Sequence, residues 1–206
     1  FLEEENSSLW IGSVKGLDLR GYAVELFPKL RFHEENVMKK LVLNTDKDEH
    51  IAGILQMENN SIWVGKVESL ELCWYAVGIL PKLRTHDENV MEKLILKAYE
   101  GEYPTEEILQ MKNNSIWVGK VKSLNLYGNA IRIFPKLKFH EENVVEELVL
   151  RAYNPGDITG ILGMENNSIW IGKIRKINLE RYAKEIKDKL DFTLMAPDAQ
   201  EENGSG

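Results

Sequence analysis

Apolar residues recur along this chain in one short phrase, apolar-x-x-apolar-x-apolar-x-x-polar. It reads Val14, Leu17, Leu19, Tyr22, and then Met38, Leu41, Leu43, Asp46. It returns at Val67/Leu70/Leu72/Tyr75, Met91/Leu94/Leu96/Tyr99, Val121/Leu124/Leu126/Asn129, Val145/Leu148/Leu150/Tyr153 and Ile174/Ile177/Leu179/Tyr182. Successive copies alternate in spacing, 24 residues and then 29 or 30. Leu-x-Leu is strand alternation, which sends both leucines to one face and the residue between them to the other. Between copies, Val24, Leu26, Phe27 and Leu30, and then Ile51, Ile54, Leu55 and Met57, predict short helical or turn-like returns. Pro28, Pro81 and Pro135 fall late in the first kind of return, where proline ends or tightens a helix. One strand plus one return cannot bury its own apolar face, so neighbouring coils must stack.

A longer period contains these coils in pairs. Trp10, Trp63, Trp117 and Trp170 are spaced 53, 54 and 53 residues apart. His33, His86 and His140 keep that spacing, as do Asn36, Asn89 and Asn143. The segment Asn59-Asn60-Ser61-Ile62-Trp63-Val64-Gly65-Lys66 recurs almost unchanged at 113–120 and 166–173. A repeat architecture is the expectation.

The seven copies resemble the leucine-rich repeat consensus over roughly residues 10–190. Tyr127-Gly128-Asn129-Ala130-Ile131 matches its second half, including the asparagine. The resemblance implies an α/β fold: a curved solenoid with a parallel sheet on its concave face and helical or 3₁₀ returns on its convex face. It implies one repeat domain over 1–190, of about seven coils in double repeats, followed by a flexible tail over 191–206. Six copies depart from the family asparagine, with Tyr22, Asp46, Tyr75, Tyr99, Tyr153 and Tyr182 in its place. Those tyrosines are expected to point partly outward or to reach a backbone partner through their hydroxyls.

Composition narrows the function classes. The 206 residues carry a formal net charge of −7. An acidic surface argues against nucleic acid as a partner, since phosphate neutralisation needs basic residues. No apolar run is long enough for membrane insertion. Cys73 is the single cysteine, so no intrachain disulfide forms, which favours a reducing compartment. Sequons at Asn6, Asn59, Asn113 and Asn166 leave secretion open, although three of them copy one repeated Asn-Asn-Ser turn. The chain starts at Phe1 without a recognisable signal peptide, and an upstream segment is one reading of that start.

Candidate chemistry is thin. His33-Glu34-Glu35-Asn36 recurs as His86-Asp87-Glu88-Asn89 and His140-Glu141-Glu142-Asn143. A zinc site needs a second histidine one helical turn on, and none follows. A catalytic constellation is needed once, whereas a structural turn is needed in every repeat, so a turn is the expectation. Gly65-Lys66, Gly119-Lys120 and Gly172-Lys173 lack the rest of a phosphate loop, and their glycines fit positive φ or close coil packing. The tryptophans, flanked by isoleucine and valine, are expected in the core rather than as a stacking row. Cys73 has no nearby histidine in the pattern and is not expected to be a catalytic thiol. No metal or cofactor is expected.

With the leucines inward, the intervening residues face out. The position between the leucines reads Asp18, Val42, Glu71, Ile95, Asn125, Val149, Asn178, and the one after the second leucine reads Arg20, Asn44, Cys73, Lys97, Tyr127, Arg151, Glu180. Val42, Ile95 and Val149 are expected as solvent-facing apolar residues. Trp74 and Tyr127 are candidate anchors, with Arg20, Lys97 and Arg151 as charged neighbours and Glu71 and Asn125 completing the candidate surface. The leading expectation is a non-enzymatic scaffold that binds a protein partner on this face. The alternatives are a structural or self-associating repeat protein, through its open terminal coils, and a regulatory subunit by family analogy.

Overall fold

Every Leu-x-Leu pair lies on a strand, and the strands follow one another across a sheet in sequence order. Their ranges are Gly16–Arg20, Lys40–Thr45, Ser69–Trp74, Val90–Ala98, Ile116–Gly128, Val144–Ala152 and Ile169–Arg181. The structure is a computed structural model that describes residues 5–99 and 106–195. All pairings are parallel, and the register is that of the sequence phrase. Leu17, Leu41, Leu70, Leu94, Leu124, Leu148 and Ile177 form one row. Leu19, Leu43, Leu72, Leu96, Leu126, Leu150 and Leu179 form the next. Both rows are fully buried on the five inner strands and half-buried on the two outer ones, where a neighbour is missing from one side.

The returns cover the inner side of these rows. Four are 3₁₀ helices, Gly21–Lys29, Tyr75–Lys82, Asn129–Lys136 and Tyr182–Lys189. Val24, Phe27, Val77, Ile79, Ile131, Ile133 and Phe134 project from them into the same core as the leucines. Pro28, Pro81 and Pro135 each stand one residue before a helix end, as the missing N–H requires. The other returns are short helical turns, Ala52–Leu55, Glu106–Gln110 and Thr159–Leu162. The Asn-Asn-Ser segment turns the chain after each of them, with Asn60, Asn114 and Asn167 at positive φ. The Asn60 and Asn114 N–H groups donate to the Pro81 and Pro135 carbonyls, both at 3.0 Å.

Short strands on a second side pair with one another, and Ile62–Val67 also pairs through Lys66 and Val67 with Val37–Met38. Leu9–Gly12 pairs with Leu30–Phe32, and Ile62–Val67 with Leu83–Thr85. The N-terminal half of Ile116–Gly128 pairs with Leu137–Phe139, and that of Ile169–Arg181 with Leu190–Leu194. Residues 191–194, read from the sequence as the start of a tail, are therefore strand. Residues 196–206 lie outside the described residues. In every pair the register breaks between the tryptophan and the following glycine. Gly65 and Gly172 have φ of 73° and 94°, and a Cβ there would lie 3.1 and 3.0 Å from the Asn36 and Asn143 carbonyl oxygens. Positive φ and close coil packing both act at these two glycines.

Two substitutions test this packing. Leu96→Ala lowers unfolding free energy by about 2–5 kcal/mol, whereas Lys176→Ala on the exposed sheet surface changes it by less than about 0.5 kcal/mol, both read from urea titration. Gly128 has φ of 60°, and a Cβ there would overlap the Ala98 carbonyl oxygen. Gly128→Ala is therefore expected to cost more than about 1 kcal/mol, while Gly53→Ala, with open space around it, does not destabilise.

Candidate functional site

The outward positions of the sheet stack as the phrase requires, but they are less open than expected. Val42 is 6% exposed, Asn125 4% and Val149 9%. Each lies on an inner strand with neighbours about 4.8 Å away on both sides, so adjoining side chains close over a short one. Ile95 and Tyr127 are half-buried, and Arg20 is exposed. The expectation of three solvent-facing apolar residues therefore holds only in part, at Ile95.

The charged candidates are already paired. Lys97 Nζ donates to Glu71 Oε1 at 2.6 Å, and Lys40 Nζ lies 3.4 Å from Glu71 Oε2. Glu71 is thus a partly enclosed ion-pair centre rather than an open strand residue. Burial pushes its carboxyl up, but the hydrogen bond and charge of Lys97, with Lys40, outweigh burial and hold it below the ordinary value. Arg20 pairs with its own strand's Asp18 at 2.9 Å. Arg151 pairs with Glu180 and lies 5.7 Å over the Tyr127 ring. Burial, with the Glu71 charge, pushes the Cys73 thiol up to about 11, so it is protonated at neutral pH.

An aromatic row closes the C-terminal margin of the sheet. Trp74 meets Tyr99 edge-on at 5.0 Å between centroids, Tyr99 meets Tyr153 at 5.5 Å, and the Arg181 guanidinium lies 5.0 Å over Tyr153. Burial and the neighbouring Tyr153 raise the Tyr99 pKa. Trp74 has φ 62°, ψ −129° and Arg181 has φ 54°. The equivalent repeat positions are Gly21 and Gly128, which adopt this conformation without a steric penalty. Sequence reasoning named Trp74 but missed Tyr99 and Tyr153 as its companions. The signal was their shared place at the end of the phrase. Tyr22 points outward, 64% exposed, and its hydroxyl reaches the Glu49 carboxylate rather than backbone. Asn129 Nδ2 donates to the Tyr99 carbonyl at 3.2 Å, a side chain-to-backbone tie between coils.

The His-x-x-Asn segment is a turn. His33, His86 and His140 carbonyls accept from Asn36, Asn89 and Asn143 N–H at 2.8–2.9 Å. The histidine Nδ1 atoms accept from the N–H of Glu35, Glu88 and Glu142 at 3.1–3.2 Å. Asn36, Asn89 and Asn143 are buried, and their Oδ1 atoms accept from Val14, Val67 and Val121 N–H at 2.8–2.9 Å. Each asparagine thereby ties its turn to the preceding coil. Among the described residues no group of three His, Cys, Asp or Glu side chains could hold a metal.

The tryptophans are not buried in the core, although Trp170 packs against it. Trp10 is 58% and Trp117 43% exposed, while Trp63 and Trp170 are half-buried. Ile62 and Val64, and Ile116 and Val118, are buried instead. Strand alternation turns the aromatic residue between them outward. Arg31 lies 5.6 Å over Trp10, Arg84 5.1 Å over Trp63 and Lys138 5.9 Å over Trp117. His33, His86 and His140 stand 6.2 Å from the same three rings. Clefts separate one repeat's tryptophan set from the next. One of about 820 Å³ runs from Trp10 and Arg31 to Trp63 and His86, and one of about 500 Å³ from Trp117 and His140 to Trp170. A third, of about 320 Å³, lies between Arg84, Asp87 and Trp117.

Compared with known proteins, the chain matches no family model, no curated sequence and no solved structure.

The Glu71 centre has a pH signature. Its folded-state pKa is depressed, so its contribution to stability is present above the ordinary carboxylate value of about 4.3 and is lost as pH falls through the lowered value. Urea midpoints between neutral and acidic pH should fall less steeply for Glu71→Gln than for the natural chain. Parallel curves would contradict the pairing.

Proposed function

We propose that this chain is a leucine-rich-repeat-like curved solenoid and a non-enzymatic scaffold that binds a protein partner. The outer face of the seven-strand sheet is its concave recognition surface. The parallel in-register sheet with helical returns supports the architecture. The recognition patch runs from Trp74 and Lys97 through Tyr127 to Arg151, and the aromatic row of Tyr99 and Tyr153 borders it.

One observation carries this reading. Trp74 and Arg181 occupy a backbone conformation that glycine fills at the equivalent positions 21 and 128. Such a conformation costs a side-chain-bearing residue about 1–3 kcal/mol. Glycine meets the backbone requirement there, whereas Trp74 and Arg181 extend the aromatic row through Tyr99 and Tyr153 and place an anchor at its edge. Trp and Arg are also the residue types that dominate binding energy at protein interfaces. The flanking ion pairs are pre-formed, which reduces the ordering cost on association.

The reading is tested with Trp74→Gly. This variant relieves backbone strain but also removes the Tyr99 contact, so urea stability should change by less than about 2 kcal/mol while partner capture weakens by at least about tenfold. The partner is found by photo-crosslinking from position 127 in extract of the native source, and its affinity for both proteins is then measured. Unchanged affinity of the folded variant would reject the patch.

A further inference from the structure

We infer that Asn6, Asn59, Asn113 and Asn166 are acceptors of N-linked glycans. These sites precede the tryptophan strands and do not depend on the reading of the sheet face.

N-glycosylation needs an Asn-x-Ser or Asn-x-Thr triplet, with no proline in the middle, on the surface of the molecule. All three residues of Asn6-Ser7-Ser8, Asn59-Asn60-Ser61, Asn113-Asn114-Ser115 and Asn166-Asn167-Ser168 are exposed. Asn36, Asn89, Asn125, Asn129 and Asn143 are buried, and none of them has a serine or threonine two residues on. The fold thus keeps its acceptor triplets in solvent and buries asparagines of other contexts. Lys136 Nζ and Lys189 Nζ donate to the Asn113 and Asn166 Oδ1 atoms at 3.0 and 2.8 Å. These exposed bonds engage the amide oxygen and not the nitrogen that would carry a glycan. A fifth triplet, Asn203-Gly204-Ser205, lies outside the described residues.

A turn alone does not account for the triplet. The turn imposes positive φ on the middle residue, 59°, 55° and 56° at Asn60, Asn114 and Asn167. Asparagine is among the few residues that visit this region readily. In the first unit the middle residue is Ser7, at 58°. The asparagine that the backbone favours is gone there, while Asn6 and Ser8, which carry no such constraint, remain. A role confined to the turn would keep the middle residue and let the flanking pair vary. Ser7, Asn60 and Asn114 each line one of the tryptophan clefts, so a glycan on the preceding asparagine leaves from a cleft rim. Cys73 suits the oxidising compartments of secreted proteins, because it is 6% exposed and burial pushes its thiol up to about 11, which keeps it protonated and inert.

The step is transfer of an oligosaccharide from a lipid diphosphate donor by a glycosyltransferase. The asparagine Nδ2 bonds to the anomeric carbon, and the bond from that carbon to the diphosphate oxygen breaks. The lipid diphosphate leaves with the electron pair, and one amide proton passes to a base of the transferase.

The test is peptide mass mapping of the whole chain isolated from its native source. Peptide-N-glycosidase in heavy-oxygen water converts a glycosylated asparagine to labelled aspartate. Label above an enzyme-free control is expected at Asn6, Asn59, Asn113 and Asn166. None is expected at Asn178, which is exposed outside any triplet. When variants are expressed in the same source, Ser115→Ala should abolish label at Asn113. That change also removes the bond from Ser115 Oγ to the Lys112 carbonyl, so two further variants separate acceptor from turn. Ser115→Thr keeps a hydroxyl and the triplet, and Asn114→Gly keeps the triplet and tolerates positive φ; both should retain the label. Absence of label from all four asparagines would overturn the proposal, as would label at Asn113 that survives Ser115→Ala.

Discussion

The structure depends on the register of one parallel ladder. A single coil exposes two leucines that it cannot cover, and only the next coil can bury them. Stacking leucine on leucine through seven strands turns separate apolar pairs into one core. The register also fixes everything outward of it. A slip of one residue in any strand would put its leucines outside and its Glu71- or Lys97-type residues inside. The recurring phrase is long enough to exclude that slip, because its first apolar residue is buried along with the two leucines on the inner coils, as at Val67, Met91, Val121 and Val145.

Polar side chains lock the stack from its edges. Asn36, Asn89 and Asn143 satisfy backbone donors at Val14, Val67 and Val121, the last two of them buried. Ion pairs cross between coils at Lys66–Glu88, Lys120–Glu142, Lys122–Glu92 and Lys176–Glu147. Each of these is largely exposed and contributes little to stability by itself.

Much of this was legible in the residues. The Leu-x-Leu spacing located all seven strands and their facing, because burial of two alternate positions leaves a period of two that nothing else explains. The turn reading of His-x-x-Asn followed from its recurrence. What was not legible arose from neighbours. Val42 and Asn125 face outward but are enclosed by adjoining strands, which a single strand's pattern cannot reveal. Glu71 is drawn between Lys40 and Lys97 from strands on either side, a pairing 26 and 31 positions apart in sequence. Trp63 was misread because its apolar neighbours suggested a buried run. Alternation already carried the answer, since Ile62 and Val64 cannot face inward unless Trp63 faces out.

The alternating coil length explains why one molecule presents two different surfaces. On the ladder side, both short and long connections deliver strands at equal spacing, so the sheet is continuous. On the tryptophan side, a 3₁₀ return brings the chain back against its own starting strand, as Arg84 against Trp63. The next connection contains an added helical turn and the Asn-Asn-Ser bend before the following tryptophan. Strands there join in pairs, and the clefts occupy the intervals between pairs. The double repeat is therefore the smallest unit that holds both a continuous ladder and an open aromatic cleft, and the 53- or 54-residue period of tryptophan, histidine and asparagine accompanies that geometry.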